Sequence, residues 1–183
     1  MANQKEIKIV VTGEFGIGKT TFVEYVCKQK VTQDFECYPV KVKDSAGTEY
    51  TFTIYDTQSM EMLSSMTTFY YNNSRGIFLM FDLSNNKGLD QVRSYHDYIT
   101  NMAHVNDALI YLVGMKKDLP QAVPEEEIRA LADALGLPLF KISTTTQDGV
   151  DAMFQQMVDA VCRGLAPKAS ADKEPSLCPC LFV

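Results

Sequence analysis

Residues with the type and spacing to do chemistry stand together near the start of the chain. Gly13-Glu14-Phe15-Gly16-Ile17-Gly18-Lys19-Thr20 fits the phosphate-binding pattern G-x-x-x-x-G-K-[ST] without a mismatch. At average residue usage such a match arises by accident in roughly one chain of this length in a hundred, or fewer. A loop of this kind points backbone N–H groups at an anion and sets the positive end of a helix dipole beneath it. The motif assigns Lys19 to the outer phosphates, as the candidate catalytic cation, and the Thr20 hydroxyl to Mg²⁺. With Thr21, these residues are the first candidate nucleotide contacts.

The loop needs a strand before it and a helix after it, and the flanking residues supply both. Ile7-Lys8-Ile9-Val10-Val11 is a short apolar run of buried-strand type, and Phe22, Val23 and Val26 recur at helical spacing within Thr21 to Lys28. Farther on, Tyr38, Val40 and Val42 alternate loosely with Pro39 and Lys41, a strand that Pro39 confines to a sheet edge. The turn Asp44-Ser45-Ala46-Gly47 joins it to the cleaner alternation Tyr50 to Tyr55, so the two form a hairpin ending at Asp56.

Gly76 to Phe81 and Ala108 to Val113 read as strands covered on both faces, with Leu89, Val92, Ile99 and Met102 at helical spacing between them. Pro124 with Glu125, Glu126 and Glu127 starts a helix whose apolar stripe is Ile128, Leu131, Ala132 and Leu135, with Gly136 as its cap. Pro138 to Ile142 is a last strand. Val150, Met153, Phe154, Met157, Val158 and Val161 repeat at intervals of three and four, a helical core stripe. The pattern is an α/β fold with a mostly parallel sheet covered on both faces. Ligands on such sheets bind at the carboxyl ends of the strands. There stand residues 13 to 20, Asp56, Asp82, Met115 to Asp118, and Ser143 to Thr145.

The 183 residues suit one domain of ordinary size, and a net charge of −6 argues against a nucleic-acid partner, which demands a clustered basic surface. No apolar run reaches the length of a membrane span, and the first residues carry no signal-peptide core, with Ala2 where myristoylation needs a glycine. Synthesis in the cytosol is the expectation from these features. Five cysteines without a C-x-x-C pair suit a reducing compartment and give no metal-site spacing. Cys27, Cys37 and Cys162 are expected to be buried or half-buried, and His96 and His104 to face solvent.

Over residues 7 to 163 the chain resembles a small GTPase of the Ras superfamily, in its Ras/Rab part. The resemblance implies a P-loop NTPase fold, the Ras-like G domain, with a six-stranded sheet, over residues 1–164. It also implies GTP and GDP as ligands, Mg²⁺ as cofactor, and effector, exchange-factor and activating proteins as partners through the switch segments. Within the intact phosphate loop, Phe15 stands where the family usually has a small residue. It is expected to obstruct hydrolysis, less so if it folds outward onto a switch segment.

Asp56-Thr57-Gln58-Ser59-Met60-Glu61 resembles the family's D-T-A-G-Q-E, with Asp56 holding Mg²⁺ through water. Ser59 replaces the glycine whose N–H meets the γ-phosphate, and Met60 replaces the glutamine that orients the attacking water. Phosphoryl transfer depends on positioning and charge stabilisation, so this loss implies slow hydrolysis. Gln58 substitutes only if the loop is rearranged. The first switch is several residues short. Thr32 is the candidate metal-binding threonine; the other reading leaves that role unfilled.

Gly114-Met115-Lys116-Lys117-Asp118 resembles the guanine-reading motif N-K-x-D. Asp118 is expected to accept the guanine N1 and N2 protons, and Lys116 to lie along the base, while Met115 cannot make the hydrogen bonds of the missing asparagine. Ser143-Thr144-Thr145 resembles S-A-K, with the Thr144 N–H facing guanine O6.

After Gly164 the composition changes to Pro, Ala, Ser and scattered charge, a flexible tail over 165–183. Cys180-Leu181-Phe182-Val183 fits C-a-a-X, with Cys180 as the prenylated thiol. One lipid chain holds a membrane only marginally. Cys178 supplies the second signal by palmitoylation, or Cys178-Pro179-Cys180 resembles the doubly prenylated C-x-C ends of Rab proteins. The expected location is cytoplasmic, peripheral on the cytosolic face of a membrane. The rival reading is a pseudo-GTPase scaffold that binds nucleotide without cycling, or binds none.

Overall fold

The structure, a computed structural model, describes residues 7–31, 37–57, 70–102, 105 and 108–165. The strands are β1 (Ile7–Gly13), β2 (Cys37–Lys43), β3 (Glu49–Asp56), β4 (Gly76–Asp82), β5 (Leu109–Met115) and β6 (Leu139–Lys141). The helices are α1 (Lys19–Cys27), α2 (Val92–Met102), α3 (Glu125–Leu135) and α4 (Val150–Leu165). The strands form one six-stranded sheet in the order β2-β3-β1-β4-β5-β6. All pairings are parallel except the β2–β3 hairpin.

The side-chain period of the strands divides the core. Along β4, Phe78 and Met80 face the layer containing α1 and α4, while Ile77, Leu79 and Phe81 face the layer containing α2. Phe22, Val23, Met153 and Met157 complete the first layer; Val92, Tyr95, Ile128 and Leu131 contribute to the second, where α3 packs beside α2. A fully buried residue of this kind contributes about 1.5–3 kcal/mol. Phe78, completely buried, has its ring 5.3 Å from that of Phe22. This is the doubly covered sheet expected from the alternating apolar segments.

The edge position of β2 accommodates Pro39, as expected. It also leaves Cys37 exposed, against the expectation of a half-buried thiol, because the first residue of an edge strand has a neighbour on one side only. Cys27 and Cys162 are covered, and burial pushes their thiols up to about 12 and about 11. His96 is also corrected: its side chain is only 16% exposed, because α2 turns that face toward the fold, and its Nδ1 lies 3.6 Å from Asp97 Oδ1. His104 lies outside the described residues.

β5 runs two residues past the expected end, since Gly114 pairs with Phe81 and Lys141, and Met115 with Asp82. The β2–β3 turn is tied to α4. The Ser45 N–H donates to Asp159 Oδ1 at 2.8 Å, and Gln155 Nε2 to the Lys43 carbonyl at 2.9 Å.

Candidate functional site

β1 ends at Gly13, where the chain must turn sharply into the loop. Gly13 has φ 135°, and a Cβ there would lie 2.2 Å from the Met80 carbonyl oxygen, so only glycine fits. Gly18, at φ 103°, precedes α1, whose N-terminus has no side-chain cap and no acidic residue in its first turn. The first N–H groups of this helix and its positive dipole end therefore remain directed at the loop.

Lys19 is 4% exposed, and its ammonium donates to the carbonyl oxygens of Gly13 and Glu14, the latter at 2.7 Å. The cation is thereby fixed against the loop that begins at β1. Parallel pairing aligns Asp56 with Val11, and Thr57 donates from Oγ1 to the Val11 carbonyl at 3.0 Å. Asp56, completely buried, accepts from Thr20 Oγ1 at 2.7 Å. A hydroxyl and a carboxylate converging beside a phosphate-type loop are hard oxygen donors, and they fit Mg²⁺.

β5 and β6 place the second half of the site. Ile142 N–H donates to the Gly114 carbonyl at 2.9 Å, and Lys117 N–H to the Ile142 carbonyl at 3.0 Å. These bonds hold the segments after the two strands side by side. Ser143, 1% exposed, then donates from Oγ to Asp118 Oδ1 at 2.6 Å. The orienting hydroxyl keeps an exposed carboxylate ready to accept paired N–H donors from a planar ring.

The two halves meet at Gly18. A Cβ placed there would lie 3.5 Å from Met115 Cε and 4.0 Å from Thr144 Oγ1. Met115 is 1% exposed, so its thioether packs on the loop as an apolar contact rather than tying it by hydrogen bonds. Lys116 has φ 60°, and its ammonium pairs with Asp82 Oδ2 at 2.7 Å. Phe15, by contrast, is 88% exposed on the phosphate loop and stays uncovered.

The structure thus gathers Gly13, Lys19, Thr20, Asp56, Met115, Lys116, Asp118, Ser143 and Thr144 around one loop. Thr32, Gln58, Ser59, Met60, Cys178 and Cys180 lie outside the described residues. Two features escaped the residue-by-residue reading. The Asp82–Lys116 ion pair was signalled only by the position of Asp82 at a strand end. The hydrogen bond between Thr12 Oγ1 and the Tyr71 hydroxyl, at 2.7 Å, had no sequence signal for its pairing. Among the described residues, no helix is long and apolar enough to cross a membrane.

A sequence profile of the Ras family matches residues 8–163. The chain is 30% identical over 179 residues to a Caenorhabditis elegans protein, Ras-related protein Rab-3, covering 94% of this chain and 80% of the relative. It is similarly 30% identical to mouse Ras-related protein Rab-3D, with the same coverage of each chain. To human Ras-related protein Rab-3B it is 29% identical, over 93% of this chain and 80% of the relative.

Proposed function

The chain belongs to the Ras family of small GTPases, and on that premise we propose that it is a guanine-nucleotide switch with slow intrinsic hydrolysis, tethered to the cytosolic face of a membrane. The observation that carries this reading is the convergence of Lys19, Thr20 and Asp56 at one end of the loop and Asp118 with Ser143 at the other. One end suits phosphate and metal; the other suits a base with adjacent N–H donors.

In this reading the loop N–H groups and Lys19 bind the β- and γ-phosphates, and Asp118 reads guanine. Thr20 Oγ1 would hold Mg²⁺ and Asp56 would hold it through water, with Thr32 the candidate from the first switch. The metal supplies neutralisation of phosphate charge. Phosphoryl transfer asks the protein mainly to position water and to stabilise charge. Met60 has no amide to orient that water, Ser59 replaces the glycine at the γ-phosphate, and an uncovered Phe15 obstructs an incoming activating side chain. Slow turnover follows. Signalling or vesicle trafficking is the setting, with effectors, exchange factors and activating proteins meeting the switch segments. Cys180, with Cys178, provides the lipid anchor in the tail after residue 164.

A second reading, a pseudo-GTPase scaffold, draws on Met115, whose buried thioether gives the base no hydrogen bond. Single-turnover hydrolysis by GTP-loaded full-length protein tests the proposal. Parent turnover is expected to be slow, and Met60→Gln to raise it by roughly tenfold or more. A variant no faster than the parent contradicts the account of slow hydrolysis. A parent that takes up no guanine nucleotide supports the scaffold.

A further inference from the structure

β4 and β5 run parallel with Asp82 in register with Met115, so Asp82 stands beside the residue that opens the base-side loop. Both oxygens of its carboxylate accept hydrogen bonds. Oδ1 accepts from the Ser84 N–H at 2.8 Å and the Ser84 hydroxyl at 2.6 Å, and Oδ2 accepts from Lys116 Nζ at 2.7 Å. The surrounding loop is held by Leu83 N–H on the Met115 carbonyl at 3.1 Å and Ala122 N–H on the Leu83 carbonyl at 2.8 Å.

Neighbouring cations have other partners. Lys19 serves the carbonyls of Gly13 and Glu14, and Lys117 Nζ is 2.7 Å from Asp148. Lys116 is left to Asp82, with its backbone in the left-handed region at φ 60°. Its side chain is 34% exposed and that of Asp82 12%. Ion pairs with one partner this open to water contribute little to stability. A long lysine held at both ends does something else: its methylene stem becomes a fixed rail for a planar ring.

We propose that Asp82 is a positioning residue for the nucleotide base, anchoring the Lys116 ammonium so that the lysine stem forms one wall of the base site. Ser84 fixes Asp82, and Asp82 fixes Lys116. The inference rests on the guanine-nucleotide reading above. It adds a residue from β4 to a site otherwise built from the phosphate loop and the segments after β5 and β6.

The test is the dissociation rate of fluorescent methylanthraniloyl-GDP from full-length protein and from Asp82→Asn, Lys116→Met and the double variant. Each single substitution is expected to speed release by about tenfold, and the double no further, because both break one link. Ser84→Ala, a milder change, is expected to give a smaller increase and keeps the test open should Asp82→Asn fold poorly. Unchanged release from Asp82→Asn, or single effects that multiply in the double variant, overturns the proposal. A parent that does not retain the labelled GDP overturns the nucleotide reading itself, and this inference with it.

Discussion

Thr12 Oγ1 and the Tyr71 hydroxyl lie 2.7 Å apart, with both side chains completely buried. Thr12 immediately precedes Gly13, so the bond joins the root of the phosphate loop to Tyr71 in the segment that leads into β4. A neutral buried hydrogen bond contributes about 0.5–1.5 kcal/mol net. Thr12→Val keeps the shape and removes the donor-acceptor pair. It is expected to lower the thermal midpoint by about 1–6 °C for a domain of this size. An unchanged midpoint at equal nucleotide concentration contradicts a stabilising role.

Met115, at the end of β5, packs its thioether methyl beside Gly18 of the phosphate loop. Met115→Asn puts an amide in that place. A gained buried hydrogen bond of about 0.5–1.5 kcal/mol is expected to tighten guanine-nucleotide binding by about 2- to 12-fold. The ratio of GDP release to uptake rates measures this directly. Unchanged affinity shows that apolar packing at this position costs the site nothing.

Much of this architecture was legible in the chain, and the reasons are local. The strand before Gly13, the helix from Lys19, the β2–β3 hairpin and the stripe from Val150 to Val161 each carry a period or a turn residue that acts within a few positions. Lys19, Thr20, Asp56 and Asp118 stand out as candidates because motif spacing and strand ends specify them. The Asp82–Lys116 pair spans 34 positions and the Thr12–Tyr71 bond 59. Both depend on sheet register and order, which no local pattern encodes. Cys37 was misjudged for a related reason: β2 was recognised as an edge strand, but the exposure of its first residue follows from having β3 as its one neighbour.

Thiol chemistry should separate the cysteines of the folded domain. Burial pushes Cys27 up to about 12 and Cys162 up to about 11, whereas Cys37 is exposed. At pH 8 the thiolate fractions of the first two are about 10⁻⁴ and 10⁻³. A short iodoacetamide pulse on native protein, read by peptide mass mapping, is expected to label Cys37 well before Cys27 or Cys162. Equal labelling of the three contradicts the burial pattern.

Burial pushes the Asp82 carboxyl upward, but the hydrogen bonds from Lys116 and Ser84 outweigh it and hold the group below the usual carboxylate range. A carboxyl depressed in the folded state contributes stability above its unfolded value and loses it as pH falls through the folded one. A small stability difference between parent and Asp82→Asn is therefore expected at pH 7 and to shrink as pH falls below about 4. Urea unfolding at pH 7 and at pH 3 measures it. A difference as large at pH 3 as at pH 7 shows that the charge of Asp82 is not its source.

The most direct test of the central claim is the identity of the nucleotide that the full-length protein carries from cells. It would be purified without added nucleotide, denatured, and its released ligand separated by chromatography. Stoichiometric GTP is the result that the proposal predicts, with Asp118 reading guanine and Phe15, Ser59 and Met60 slowing hydrolysis. GDP alone would contradict slow hydrolysis, and an empty protein or an adenine nucleotide would contradict guanine recognition.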